Sequence, residues 1–205
     1  MGSLRRPSVR VALLAVVCAI ALVSAAHAQR GYGQRSFREG SFPPQFPPED
    51  FADGAFTICK LMYRQVRREP WGMGWLTDYP YAAVNLMTRA SELTKIHVSW
   101  DANRNPYPWV VRPTDAALFE CPMVVASDVG TMGISDAEAL RLREYLLKGG
   151  FLWVDDFWGT DAWEHWVSQI RKVFDSIDYP IVDLPPTHPI FRTYAPVGRV
   201  PQVTN

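Results

Sequence analysis

The 205 residues carry 21 Lys and Arg against 21 Asp and Glu, a formal net charge of zero. No overall field therefore draws the chain to nucleic acid or an anionic membrane, and no basic run in the mature part supplies a local one. Once an N-terminal signal is removed, the length suits one domain with its own core.

Arg5, Arg6 and Arg10 precede an apolar run over 11–26, and Ala26-His27-Ala28 offers small residues at both positions a signal peptidase reads. The run is shorter than the roughly 20 residues that span a bilayer, so a cleaved leader is expected over 1–28, with cleavage after Ala28 and delivery to the periplasm or medium. Pro7-Ser8-Val9 does not continue a twin-arginine signal, which leaves the general secretory route. Residues 29–50, rich in Gly, Arg, Ser and Pro, read as an extended tether. The domain follows over 51–205.

Residues 55–63, AFTICKLMY, have the apolar and β-branched content of a strand buried in a parallel sheet. A glycine- and aromatic-rich loop over 64–80 leaves its carboxyl end. Val84, Met87 and Ala90 then recur at helical spacing over 81–93, with Leu86 and Leu93 widening the stripe. Alternation over 95–100 predicts a second strand. Asp101-x-Asn103-x-Asn105 has the opening spacing of a calcium loop, but Pro106 stands where Gly is needed and Arg112 where the closing Glu belongs, so an Asx-rich turn is the better reading. Residues 122–127 are a third strand. Ser135 and Glu138 form a capping box that starts a helix, and Gly149-Gly150 end it before a fourth strand, residues 151–154, that runs into Asp155-Asp156. Asp161 is placed to cap a last helix whose apolar face holds Trp163, Trp166, Val167, Ile170, Val173 and Phe174. A short strand is expected at 181–184, after which proline is too frequent for regular structure. Strands and helices alternating with crossover-length connections give an α/β fold with a mainly parallel sheet.

Thr77-Asp78-Tyr79-Pro80 with Asn85-Leu86, Leu142-Arg143-x-Tyr145-Leu146 leading into Gly149-Gly150-Phe151-Leu152 and Asp155-Asp156, and His188-Pro189-Ile190-Phe191 together resemble the family called domain of unknown function 4159. The resemblance covers nearly everything from residue 55 onward. It implies a flavodoxin-like, class I glutamine-amidotransferase-like three-layer sandwich in an exported bacterial protein. It also implies envelope partners of the kind encoded beside MoxR-type ATPases and von Willebrand factor A proteins, and a domain that continues beyond 205. No activity comes with it.

Glutaminase chemistry needs an exposed Cys on a sharp strand-to-helix turn with a His base. Cys59 lies within a strand and Cys121 just before one, so neither fits. A disulfide between them is permitted in an oxidising compartment. Facing positions on neighbouring strands seldom meet disulfide geometry, so two buried thiols are expected. Ser127 ends a strand without the flanking glycines of a nucleophile elbow. No cofactor or zinc motif occurs.

In an open α/β sheet, ligands bind beyond the carboxyl ends of the strands. Asp78, Asp128, Asp155 and Asp156 all leave such ends and are the candidate ligand-binding residues, with Asn85 and Trp158. Adjacent strand residues face opposite ways, so Asp155 and Asp156 are not expected to act as a dyad, and one of them is a candidate cap for 160–162. Trp71 and Trp75 are candidate walls, and His165 and His188 candidate bases. Two functions follow: a non-catalytic envelope module binding a protein or glycan at this edge, or a carboxylate- or metal-dependent hydrolase.

Overall fold

The structure is a computed structural model, and it describes residues 42–49, 51, 54–70, 72–98, 100, 101 and 104–199. The described residues all fall within one compact unit that begins at Phe42. The leader and most of the tether lie outside the described residues. Among the described residues no helix is long and apolar enough to cross a membrane.

Four parallel strands form the central sheet in the order β3-β1-β4-β6. They are β1 Ile58–Leu61, β3 Val110–Val111, β4 Met123–Ser127 and β6 Phe151–Asp155. A two-residue antiparallel pair, β2 Arg64–Gln65 with β5 Met132–Gly133, stands apart. Lys60 registers with Val125 and Val110, and Ser127 with Asp155.

Alternation along these strands separates two apolar faces. Cys59, Leu61, Val124 and Ala126 pack against Leu142 and Tyr145 of α2 (Asp136–Leu147) and Trp166 and Val173 of α3 (Gly159–Val173). Ile58 and Val125, on the other face, meet Ala83 and Met87 of α1 (Tyr81–Leu93). Each such side chain taken fully from water contributes about 2 kcal/mol.

The first helix has the bounds its periodicity predicts. The capping box also forms: Ser135 accepts the Glu138 amide at 3.4 Å while Glu138 Oε2 accepts the Ser135 amide at 2.8 Å. Gly149 takes φ 97°, as the turn requires, and a Cβ on Gly150 would enter the Tyr145 ring.

Several expectations are corrected. Residues 95–100 form no strand, only isolated bridges of Val98 to Phe56 and Trp100 to Pro106; the ladder position beside β1 is taken by Val110–Val111. Residues 181–184 are irregular and exposed rather than a strand. Asp161 caps nothing, because α3 begins two residues earlier and its N-cap is Trp158, which makes no side-chain capping bond. Trp163 is not buried with its predicted neighbours but is 39% exposed. Asp101 Oδ1 accepts the Asn105 amide at 2.8 Å, and Asn103 lies outside the described residues.

Cys59 and Cys121 are joined, contrary to the expectation of free thiols. Cys121 sits in the irregular approach to β4, three residues before the Val124 that faces Cys59. Freed from the ladder, its backbone brings the Cα atoms to 6.0 Å, within disulfide range.

Candidate functional site

Lys60 is the only charged residue in the run AFTICKLMY, and its place in β1 aims it into the face covered by α1. It is 1% exposed. Its Nζ donates to Ser127 Oγ at 2.6 Å and to the Thr77 carbonyl at 2.9 Å, so one ammonium joins the end of β4 to the loop that starts α1. Burial pushes this lysine down to about 8, against the pull of Asp155, Asp78, Asp156 and Asp128. All four acids thus lie near enough to act on one ammonium, and Asp155 stands level with Ser127 across the ladder of β4 and β6.

Three of these acids share a conformation that favours glycine: Asp78 at φ 61°, Asp128 at φ 54° and Asp156 at φ 52°. Each follows a strand or a turn and reverses the chain there, and a short polar side chain tolerates the left-handed region better than most. Their accessibility differs. Asp78 and Asp156 are exposed, Asp155 is half-buried and Asp128 is fully buried.

Asp155 and Asp156 are paired with indoles. Trp153 Nε1 donates to Asp155 Oδ2 at 3.3 Å and Trp158 Nε1 to Asp156 Oδ1 at 3.2 Å. Asp156 therefore holds Trp158 rather than capping 160–162. Burial, with Asp78, Asp128 and Asp155 close by, raises the Asp156 carboxyl. Asp155 keeps one buried oxygen, Oδ1, without a hydrogen-bond partner. The rim thus offers acceptors beside two half-exposed rings, with Trp153 48% and Trp158 38% exposed.

Asp128 faces inward. Its Oδ2 accepts the Gly74 amide at 2.7 Å, and burial together with Glu69 pushes its carboxyl up to about 6. Beneath it the Tyr63 hydroxyl lies 2.8 Å from the Ser127 carbonyl and 2.7 Å from that of Asp128, fixing the turn after β4.

Other candidates are used elsewhere. Asn85 is exposed on α1 and takes no part in the charge cluster. Trp75 packs beside Tyr79 with centroids 5.6 Å apart, and Trp71 lies outside the described residues. His165 Nε2 is 2.7 Å from the Met132 carbonyl, and His188 Nδ1 accepts the Ile190 amide at 3.3 Å, so both rings serve the fold. Among the described residues no group of three or more His, Cys, Asp or Glu is disposed to hold a metal ion. A cavity of about 540 Å³ lies away from this edge, between Phe46–Glu49 with Phe51 and the segment from Arg112 to Glu120. It gathers no comparable set of buried charges.

Lys60, Tyr63 and Glu69 were not singled out from the sequence. Lys60 carried a signal, since a lone charge inside a strand buried on both faces needs a partner. Glu69 carried none, because its partner is 59 positions away.

A family model described as a domain of unknown function, DUF4159, matches residues 57–205. A comparison with curated proteins finds no match.

Proposed function

The chain belongs to the DUF4159 family, and on that premise we propose that it is an exported, non-catalytic binding module whose ligand site is the acidic rim of Asp78, Asp155 and Asp156 with Trp153 and Trp158. The observation that carries the reading is the Lys60–Ser127 hydrogen bond. Ser127 and Lys60, which have the makings of a nucleophile and base, are spent internally, each 1% exposed, while the acids and rings above remain accessible. The rim outnumbers its single buried cation, so a positively charged group suits it: a lysine or arginine side chain of an envelope protein, bound by charge and by the indole faces. Partners of the MoxR-associated and von Willebrand factor A type remain the candidates that the family resemblance suggests. Within this proposal the fold is the flavodoxin-like, amidotransferase-like sandwich. The Cys59–Cys121 bond is in keeping with an oxidising compartment.

The test is capture from envelope extract with the full mature chain, comparing wild type with an Asp78→Asn, Asp155→Asn, Asp156→Asn triple variant, together with titration of an arginine-containing peptide. The expected result is loss of capture and at least a tenfold weaker peptide affinity, consistent with about 1.4 kcal/mol or more. Equal binding by both proteins would sink the reading.

A second reading, carboxylate-dependent hydrolysis at the same edge, draws on Asp128, whose carboxyl at about 6 is in general-acid range. Its complete burial beneath residues 69–77 weighs against it.

A further inference from the structure

Beneath the rim lie two buried acids, each with one oxygen that has no hydrogen-bond partner. Glu69 has a side chain 2% exposed, and Asp128 is wholly buried. Glu69 Oε2 and Asp128 Oδ1 are buried without any other partner, yet the two side chains lie within hydrogen-bonding reach. Their remaining oxygens are committed: Glu69 Oε1 accepts Arg67 Nη1 at 3.1 Å and Asp128 Oδ2 accepts the Gly74 amide at 2.7 Å. Two ionised carboxylates are acceptors only and repel. One proton between them turns a pair of orphaned acceptors into a donor and an acceptor.

Two glycines make the arrangement sterically possible. A Cβ on Gly72 would overlap the Asp128 carboxyl, and one on Gly130 would overlap Glu69. Main chain from the strap of residues 64–77 and from the turn after β4 thus closes on the pair from both sides. Arg67 spans the same seam, donating to the Gly130 carbonyl at 3.0 Å, and the Val66 amide donates to the Thr131 carbonyl at 2.8 Å.

We propose that Glu69 and Asp128 share a single proton, and that this proton latches residues 66–76 onto the carboxyl edge of the sheet, so that the strap is held in acid and loosened when the proton departs. The strap leads directly into Asp78. The consequence for ligand binding rests on the rim reading above, but the latch itself does not.

The surrounding charges set where the proton leaves. Arg67 on the strap and Lys60 on β1 favour ionisation. Tyr63 after β1, Asp156 after β6 and Asp78 at the strap's end face the same cluster, and α3 brings Ala162 against Gly130 and the His165 ring to the Met132 carbonyl. For Asp128 burial is the largest influence, and with Glu69 it outweighs the Gly74 amide and Arg67 and pushes the carboxyl up to about 6, a mildly acid value.

The experiment is amide hydrogen exchange on the full mature chain between pH 4.5 and 8, corrected for intrinsic rates, following Gly74 and Val66 relative to amides within β4. Protection at Gly74 should fall relative to β4 by about tenfold per pH unit above the titration point. Glu69→Gln places a permanent amide donor opposite Asp128 and should abolish that fall. A constant wild-type ratio across the range overturns the latch, as does Glu69→Gln retaining the wild-type fall. Should that variant not fold, Asp128→Asn serves in its place. Carbon-13 carboxyl titration of the wild type is the independent check: one of the two side chains should stay protonated above pH 5, and finding both ionised below pH 4.5 refutes the proposal. None of these readouts uses a ligand, so failure of the latch and failure of the rim are told apart.

Discussion

Lys60 stays in the fold at a net cost. Its ammonium titrates at about 8 rather than 10.5, so desolvation outweighs four nearby carboxylates, and the charged form is disfavoured on folding by about 3 kcal/mol. Between pH 8 and 10.5 the unfolded chain binds a proton that the folded chain has released. Stability therefore rises with pH across that window. Denaturant midpoints measured from pH 7 to 9.5 should climb for the wild type and stay level for Lys60→Met, and a flat wild-type curve would show that the lysine is not desolvated. A residue kept against stability is one that serves placement, here of Thr77 and Ser127. Lys60 was not singled out from the sequence, although a lone charge inside an apolar strand is a signal. Its partners were less visible, because the acids that answer it come from three separate loops. Asp78, Asp128, Asp155 and Asp156 were legible as strand-end acids, but the inward turn of Asp128 depends on Glu69, to which no spacing points.

At the level of elements, helices were the most legible part. Residues 81–93 and 136–147 show apolar positions at 3.6-residue spacing or a capping box, both local properties of the chain. Strands were less so, since pairing is a long-range event. Ile96, Val98 and Trp100 alternate as a strand does, yet Val98 makes only a single bridge, and the two-residue β3 that pairs with β1 is too short to give a pattern. The disulfide belongs to this scale as well. It ties β1 to the approach to β4 across a separation of 62 residues, for which loop closure predicts about 4 kcal/mol of stabilisation. A Cys59→Ala, Cys121→Ala double variant should lose most of that in chemical denaturation. A loss under about 1 kcal/mol would mean that the bond restrains little of the unfolded chain.

At the scale of the whole molecule, parallel topology puts separate acids on one lip: strands running in the same direction discharge their loops at a common end, wherever those loops lie in the chain. The two flanks of the sheet are finished differently. Beyond β3, residues 42–49 run alongside, and the Val110 amide donates to the Gln45 carbonyl at 2.8 Å. Beyond β6, among the described residues, no strand follows, and Phe151 and Trp153 are 47% and 48% exposed. Light scattering on concentrated samples of the mature chain should detect assembly that a Trp153→Lys change reduces, because charge on such a strand opposes strand addition. Equal scattering from both proteins would show the flank to be inert. The Tyr145 hydroxyl already occupies the amide and carbonyl of Phe151, so the outward backbone groups from Leu152 to Val154 are a short template on which an extended peptide could add, with Asp155 marking its end.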